Sequence, residues 1–325
     1  MRRVCVVGAG AIGSLFAGHL SQVAEVSVLT RRADHARALR RGLRVSGKSQ
    51  IEARVHADHD PAALPDADLV VLACKATQLE GVARTLAGHF PGAVVMTVQN
   101  GLGAEEVVRQ HGSWPIISAV TFMSGVRHGD AHVEYELDTA TWMGPYAGTS
   151  TPYSTVEEVR ALVVASGLKA EAFEDLLPAQ WSKLIFNSAV NCVAALTGLP
   201  HVAAFAEIDA ADGLGHVVQA VVAEGRAVAA AAGVELHEDP WEMNVRAVAR
   251  GTTAAASGAY AHVPSMLEDV LHRRPTEVDF IAGALVREAV RRDVPAPVTA
   301  ALWRLVRGRE ASWDPEVRIP ETVTA

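Results

Sequence analysis

The chain has 325 residues, a formal net charge of 29 − 37 = −8, and is half hydrophobic but only 5% aromatic. That length supports a sizeable core and two domains. The acidic balance, with no Lys/Arg block, excludes a nucleic-acid surface, and three scattered cysteines (Cys5, Cys74, Cys192) exclude a C-x-x-C metal or redox site.

In chain order, residues 4–7 read as a short buried β run, 11–22 as a helix, 26–30 as β and 35–41 as helix. Further β runs at 69–73 and 94–98 flank a helical pattern at 78–89. Such alternation predicts a doubly wound parallel sheet. From 116 to 143 strand patterns follow one another without helices, which predicts antiparallel strands at the end of that sheet. A turn-rich stretch at 144–153, a helix at 155–166 and a β run at 169–173 complete a first domain, 1–174. From Asp175 onward the pattern is helical, giving a second domain, 175–325. The Ala-rich helix expected at 209–232 suits either a core or the seam of a homodimer. Its neighbourhood carries Glu224 and Arg226, so it is not a membrane span. Met1-Arg2-Arg3 leads into a short apolar run that ends in glycines, not in the cleavage site of a signal peptide. The expected location is the cytoplasm, with the cysteines reduced and no metal bound.

Gly8-Ala-Gly10-Ala11-Ile12-Gly13 follows the first β run and opens the first helix. Glycines at these steps allow a tight turn, close approach of a pyrophosphate and close helix–strand packing. The helix start supplies backbone N–H groups and a favourable dipole for phosphate. The second β run ends at Leu29-Thr30-Arg31-Arg32, where an NAD enzyme usually carries an acidic residue for the ribose hydroxyls. A guanidinium fork matches a 2′-phosphate instead, so Arg31 points to NADP(H). Two more loops close strands, Cys74-Lys75-Ala-Thr-Gln78 and Gln99-Asn100-Gly101-Leu-Gly103. Lys75 can meet an anionic substrate or cofactor, and Asn100 a nicotinamide ribose or substrate; either can equally be loop polarity.

Lys183, Asn187 and Asn191 stand four apart in an apolar stretch, Lys-Leu-Ile-Phe-Asn-Ser-Ala-Val-Asn. On a helix they line one face. Buried polar groups need partners, and a ligand is one. Downstream, Ser265 and Glu277 each have a bland reading, Ser265 as a helix cap and Glu277 as an acid in the first turn of a helix begun by Pro275 or Thr276.

Together these stretches resemble the ketopantoate reductase family (2-dehydropantoate 2-reductases). The likeness runs collinearly over residues 8–308 through GAGAIG, CKATQ, QNGLG, KLIFNSAVN, PSMLEDV, RRPTEVDFI and VPAPVTAALW. The combination is specific, although no single motif is. The resemblance implies an α/β chain, an N-terminal Rossmann-type doubly wound sheet followed by an all-helical C-terminal domain, with the active site in the cleft. It implies NADPH-dependent reduction of a small 2-keto acid, 2-dehydropantoate to pantoate in pantothenate synthesis. It also implies Lys183 as general acid, Glu277 as active-site carboxylate, and Asn187, Asn191 and Ser265 as substrate ligands. Gly8, Gly10, Ala11, Ile12, Gly13, Arg31, Lys75, Gln78 and Asn100 fall on the cofactor side.

Hydride addition to a ketone builds charge on oxygen, and an acid there must supply a proton. The chain departs from the family pattern at His262, where an Asn that helps hold substrate is usual, at Pro264 in place of Ser, and at Ala282 in place of the Asn of an Ile-Asn-Gly. His262 reads either as a carboxylate ligand or as an exposed helix residue. These departures bear on the substrate more than on the cofactor. They favour, as alternatives, another 2-oxo acid or a larger carbonyl compound, for instance in secondary metabolism; a non-catalytic NADP-binding sensor is the competitor from a different class.

Overall fold

Alternate residues of the central strands face opposite ways, and each face has its own apolar layer. The computed structural model describes residues 1–256 and 263–314. The chain forms two compact units: Met1–Gln99 with Gly103–Leu176, and everything from Leu177 onward with Asn100–Leu102.

The first unit runs β1 (Arg3–Val7), α1 (Ala11–Leu20), β2 (Glu25–Leu29), α2 (Ala33–Arg41), β3 (Leu43–Gly47), β4 (Ile51–Ala53), β5 (His56–Asp58), β6 (Leu69–Leu72), α3 (Ala76–Leu86), β7 (Val94–Thr97), α4 (Ala104–Arg109), β8 (Ile116–Thr121), β9 (Ser124–Gly129), β10 (His132–Leu137), β11 (Thr141–Pro145), α5 (Tyr153–Ala165) and β12 (Ala170–Ala172). Its main sheet has eight strands in the order β12-β11-β8-β7-β6-β1-β2-β5. β1 pairs in parallel with both β2 and β6, so the strand order reverses there. Val4, Val6, Leu69 and Val71 face one layer with Leu15 and Phe16 of α1. Cys5, Val7, Val70 and Leu72 face the other, with Leu79 and Leu86 of α3.

The run from 116 to 143 divides between two sheets. β8 and β11 pair antiparallel in the main sheet, as the pattern predicts. β9 and β10 instead join β3 and β4 in a separate four-stranded sheet, ordered β4-β3-β10-β9. The cause is one-sided apolarity. Leu43, Val45, Val133 and Tyr135 turn inward and share the apolar layer of α1, while most of β9 is exposed. A Cβ on Gly18 of α1 would come within 2.5 Å of Val45, so the helix lies directly on this second sheet.

The second unit runs α6 (Leu177–Thr197), α7 (Leu214–Ala231), α8 (Pro240–Ala256), α9 (Ser265–Leu271), α10 (Ala282–Arg291) and α11 (Pro297–Ala311). α6 is its axis and packs against the other five helices. Gly225 lets α7 approach closely, since a Cβ there would lie 2.6 Å from Ile185. Glu224 accepts bonds of 2.8 Å from the Val298 and Thr299 amides and 2.6 Å from the Thr299 hydroxyl. It thereby satisfies N–H groups at the start of α11. No described helix is long and apolar enough to cross a membrane.

Candidate active site

The phosphate-binding turn is fixed by backbone sterics. Gly8 has φ +94°, and a Cβ there would lie 2.8 Å from the Cys74 nitrogen. A Cβ on Gly13 would sit 1.9 Å from the Gly8 carbonyl oxygen. Gly10 differs, since its Cβ would meet nothing within 4 Å. The first and third glycines therefore close the turn against the fold, and the middle one leaves an open face at the start of α1. Ala11 and Ile12 form the first turn of that helix, which has no capping side chain and no acidic residue to compete for an anion.

The two arginines after β2 differ in commitment. Arg32 is held by Asp34 at 3.0 Å and by Asp130 at 2.5 Å. Arg31 is exposed and makes no ion pair among the described residues. Lys75 stands immediately before α3, and Gln78 is exposed on its first turn. Gly8, Arg31 and Lys75 thus follow the carboxyl ends of β1, β2 and β6, where doubly wound sheets bind ligands. An open glycine face and an uncommitted guanidinium fit a dinucleotide that carries a 2′-phosphate.

In the second unit, Lys183, Asn187 and Asn191 lie one turn apart on α6, 8%, 6% and 6% exposed. Glu277 is also buried, at 7%. Burial pushes the Lys183 ammonium down to about 8, and the charge of Glu277 opposes that shift. Asn100 donates from Nδ2 to Glu277 Oε2 at 3.3 Å. Its loop is locked to the Glu277 turn, because the Leu102 amide donates to the Phe280 carbonyl at 3.1 Å. A Cβ on Gly101 would lie 1.9 Å from that same oxygen. Among the described residues neither the Asn187 nor the Asn191 side-chain amide has a hydrogen-bond partner. The cluster therefore offers a cation able to release a proton near neutrality, a carboxylate beside it, and two amides open to a polar ligand.

Not every expected placement holds. Glu277 is not in a helical first turn, because α10 begins only at Ala282. It occupies a turn instead, where its carbonyl accepts from the Phe280 and Ile281 amides. The Thr276 hydroxyl takes the Val278 amide at 3.2 Å. Ser265 is not a cap either; it is the exposed first residue of α9, and the capping position is the buried Pro264. Asn100, read from sequence as a contact for nicotinamide ribose or substrate, groups with the second unit, where its amide meets Glu277; that bond leaves the reading open. His262 lies outside the described residues. Sequence reasoning gave Gln99 no role, yet its side chain bonds two carbonyls at the end of the sheet; its place in the loop that closes β7 is the one signal that marked it.

Two family models match the chain, "Ketopantoate reductase PanE/ApbA" over residues 4–148 and its C-terminal counterpart over 175–310. The 2-dehydropantoate 2-reductase of Archaeoglobus fulgidus is 33% identical over 96% of this chain and 99% of its own. That of Pyrococcus horikoshii is 29% identical over 95% and 98%. A crystal structure of a PanE/ApbA family ketopantoate reductase from Ralstonia eutropha superposes with a TM-score of 0.80 at 27% identity, covering 95% of this chain and 99% of that one.

Proposed function

The chain belongs to the ketopantoate reductase PanE/ApbA family, and from that premise we propose that it reduces 2-dehydropantoate, a small 2-keto acid, to pantoate with NADPH. The observation that carries the chemistry is the buried Lys183, its proton loosened to about pH 8, with Glu277 beside it. Bound NADPH supplies the hydride that reaches the carbonyl carbon.

Lys183 then delivers its proton from Nζ to the carbonyl oxygen as charge builds there, and an alcohol results. Glu277 stabilises the ammonium beforehand, so a proton is present to give. Asn187 and Asn191 orient the substrate through hydroxyl and carboxylate, and the exposed Ser265 hydroxyl adds a further contact. Asn100 holds Glu277 in place. On the cofactor side, Gly10 lets the pyrophosphate approach the helix start. Arg31 and Lys75 take the phosphate charge, and Gln78 adds an amide at the start of α3.

A second reading keeps this chemistry but changes the carbonyl compound. Pro264 and Ala282 replace polar residues usual in the resemblance, and both are buried, Ala282 at 0%. Fewer polar contacts favour a less hydroxylated 2-oxo acid. A panel of 2-keto acids assayed with NADPH and NADH decides between the two. The expected outcome is the highest kcat/KM for 2-dehydropantoate with NADPH. Turnover of other 2-keto acids with none of 2-dehydropantoate would establish the second reading.

A further inference from the structure

Gln99 lies in the loop two residues after β7, at the end of a segment of the first unit, and has no role in the chemistry above. Its Nε2 donates to two backbone oxygens, Leu72 at 2.8 Å and Cys74 at 2.9 Å. Leu72 closes β6, and Cys74 is in the short loop that leads to Lys75 and α3. One amide thus clamps both ends of a bend in that loop. The orientation is forced, because two carbonyls require two N–H donors. It leaves Oε1 buried and without a partner among the described residues. An unsatisfied buried acceptor is destabilising, so the clamp opposes part of its own benefit.

The clamped loop is also the wall of the glycine turn. The Cys74 nitrogen and Cα are the atoms that a Cβ on Gly8 would strike, at 2.8 and 2.9 Å. The Ala73 amide donates to Val7, the residue before Gly8, at 2.9 Å. Gln99 therefore reaches the phosphate-binding turn in two steps, through Cys74 to Gly8, and reaches Lys75 in one.

We infer that Gln99 is a positioning residue of the dinucleotide site: its amide fixes the Cys74–Lys75 loop so that the glycine turn and Lys75 present one preset surface to the cofactor phosphates. This rests on the NADPH reading above. It touches no reacting atom, so its removal acts on cofactor binding and not on the chemical step.

The test uses Gln99→Met, which keeps length but has no donor, and Gln99→Glu, which turns a carboxylate onto two carbonyl oxygens. For Gln99→Met the NADPH Kd and KM rise about tenfold, the equivalent of roughly one lost hydrogen-bond pair. Its kcat changes by less than about threefold, as expected when ground-state and transition-state binding fall together. Its melting temperature falls modestly, because the Leu72 and Cys74 carbonyls lose a donor while the orphaned Oε1 is removed with it; the rise in KM at nearly constant kcat is the readout that a merely structural role would not give. Gln99→Glu raises Kd further. Unchanged NADPH Kd in both variants, or a fall in kcat at constant KM, overturns the inference. Fluorescence titration of the wild type separates the two levels: if it binds neither NADPH nor NADH, the cofactor reading itself falls, whereas wild-type binding with equal binding by Gln99→Met removes only the clamp.

Discussion

The two units build their candidate sites by opposite means. In the sheet unit the turn is shaped by what is missing. Gly8 and Gly13 leave no room for a Cβ, and the charged group that follows the neighbouring strand β2, Arg31, is exposed. In the helical unit the site is shaped by what is buried: Lys183, Asn187, Asn191 and Glu277 are all under a tenth exposed. Backbone shape suits a ligand recognised by its phosphates, since N–H groups and a dipole need no particular side chain. Buried side chains suit chemistry, because desolvation moves a lysine toward neutrality and makes each polar contact count for more.

The largest effect should come from the buried side. Lys183→Ala removes the only proton donor proposed for the carbonyl oxygen, and kcat should fall by about 10²–10⁴-fold. NADPH affinity, measured by fluorescence titration, should hold. A variant with near wild-type kcat would end the general-acid role and blur the division between the units.

Within the glycine turn the comparison becomes sharper still. Gly13→Ala drives a Cβ into the Gly8 carbonyl, and Gly8→Ala adds a positive φ to a clash with Cys74. Each should lower stability by about 1–3 kcal/mol, seen as a lower melting temperature. Gly10→Ala meets no protein atom, so it should melt like wild type and lose only NADPH affinity. If Gly10→Ala destabilised the fold as much as Gly13→Ala, the open-face assignment would be wrong.

What the sequence made legible follows the same division. Gly8, Gly10 and Gly13 are local, and their spacing after a β run announces the turn. The stripe of Lys183, Asn187 and Asn191 is also local, since one helix carries all three. Glu277 and Asn100 meet across 177 positions, and no periodicity encodes that meeting. The helix expected at Pro275 or Thr276 fails for a related reason: the backbone at 277–281 is spent on turns that receive the loop at Gly101 and Leu102. The second sheet is hard to read in sequence because its edge strand β4 has only three residues, too short for an alternation to register. Arg31 and Arg32 look alike in sequence. Asp34, two residues on, and Asp130, from the turn between β9 and β10, separate them by engaging Arg32.

That separation gives the next test. Arg31→Ala should weaken NADPH binding about 10–100-fold and NADH binding little, because a charge-assisted fork to a phosphate is lost and NADH has no 2′-phosphate. Arg32→Ala should change the NADPH to NADH ratio much less. Equal losses for both cofactors on removing Arg31 would sink the 2′-phosphate assignment.

The smallest effect is the most diagnostic of the buried cluster. Lys183 must be protonated to act as an acid, and its folded pKa lies near 8, below that of an ordinary lysine. Reduction should therefore hold steady below that value and fall about tenfold per pH unit above it, with the limb visible in kcat/KM. The oxidation direction, which needs the neutral amine as a base, should rise over the same range. Glu277 raises the Lys183 value against the larger lowering by burial. Glu277→Gln removes the charge and keeps the shape, so the limb of the reduction profile should move to lower pH. A limb that stays in place would mean that another group titrates there, and that the carboxylate serves the substrate and not the lysine.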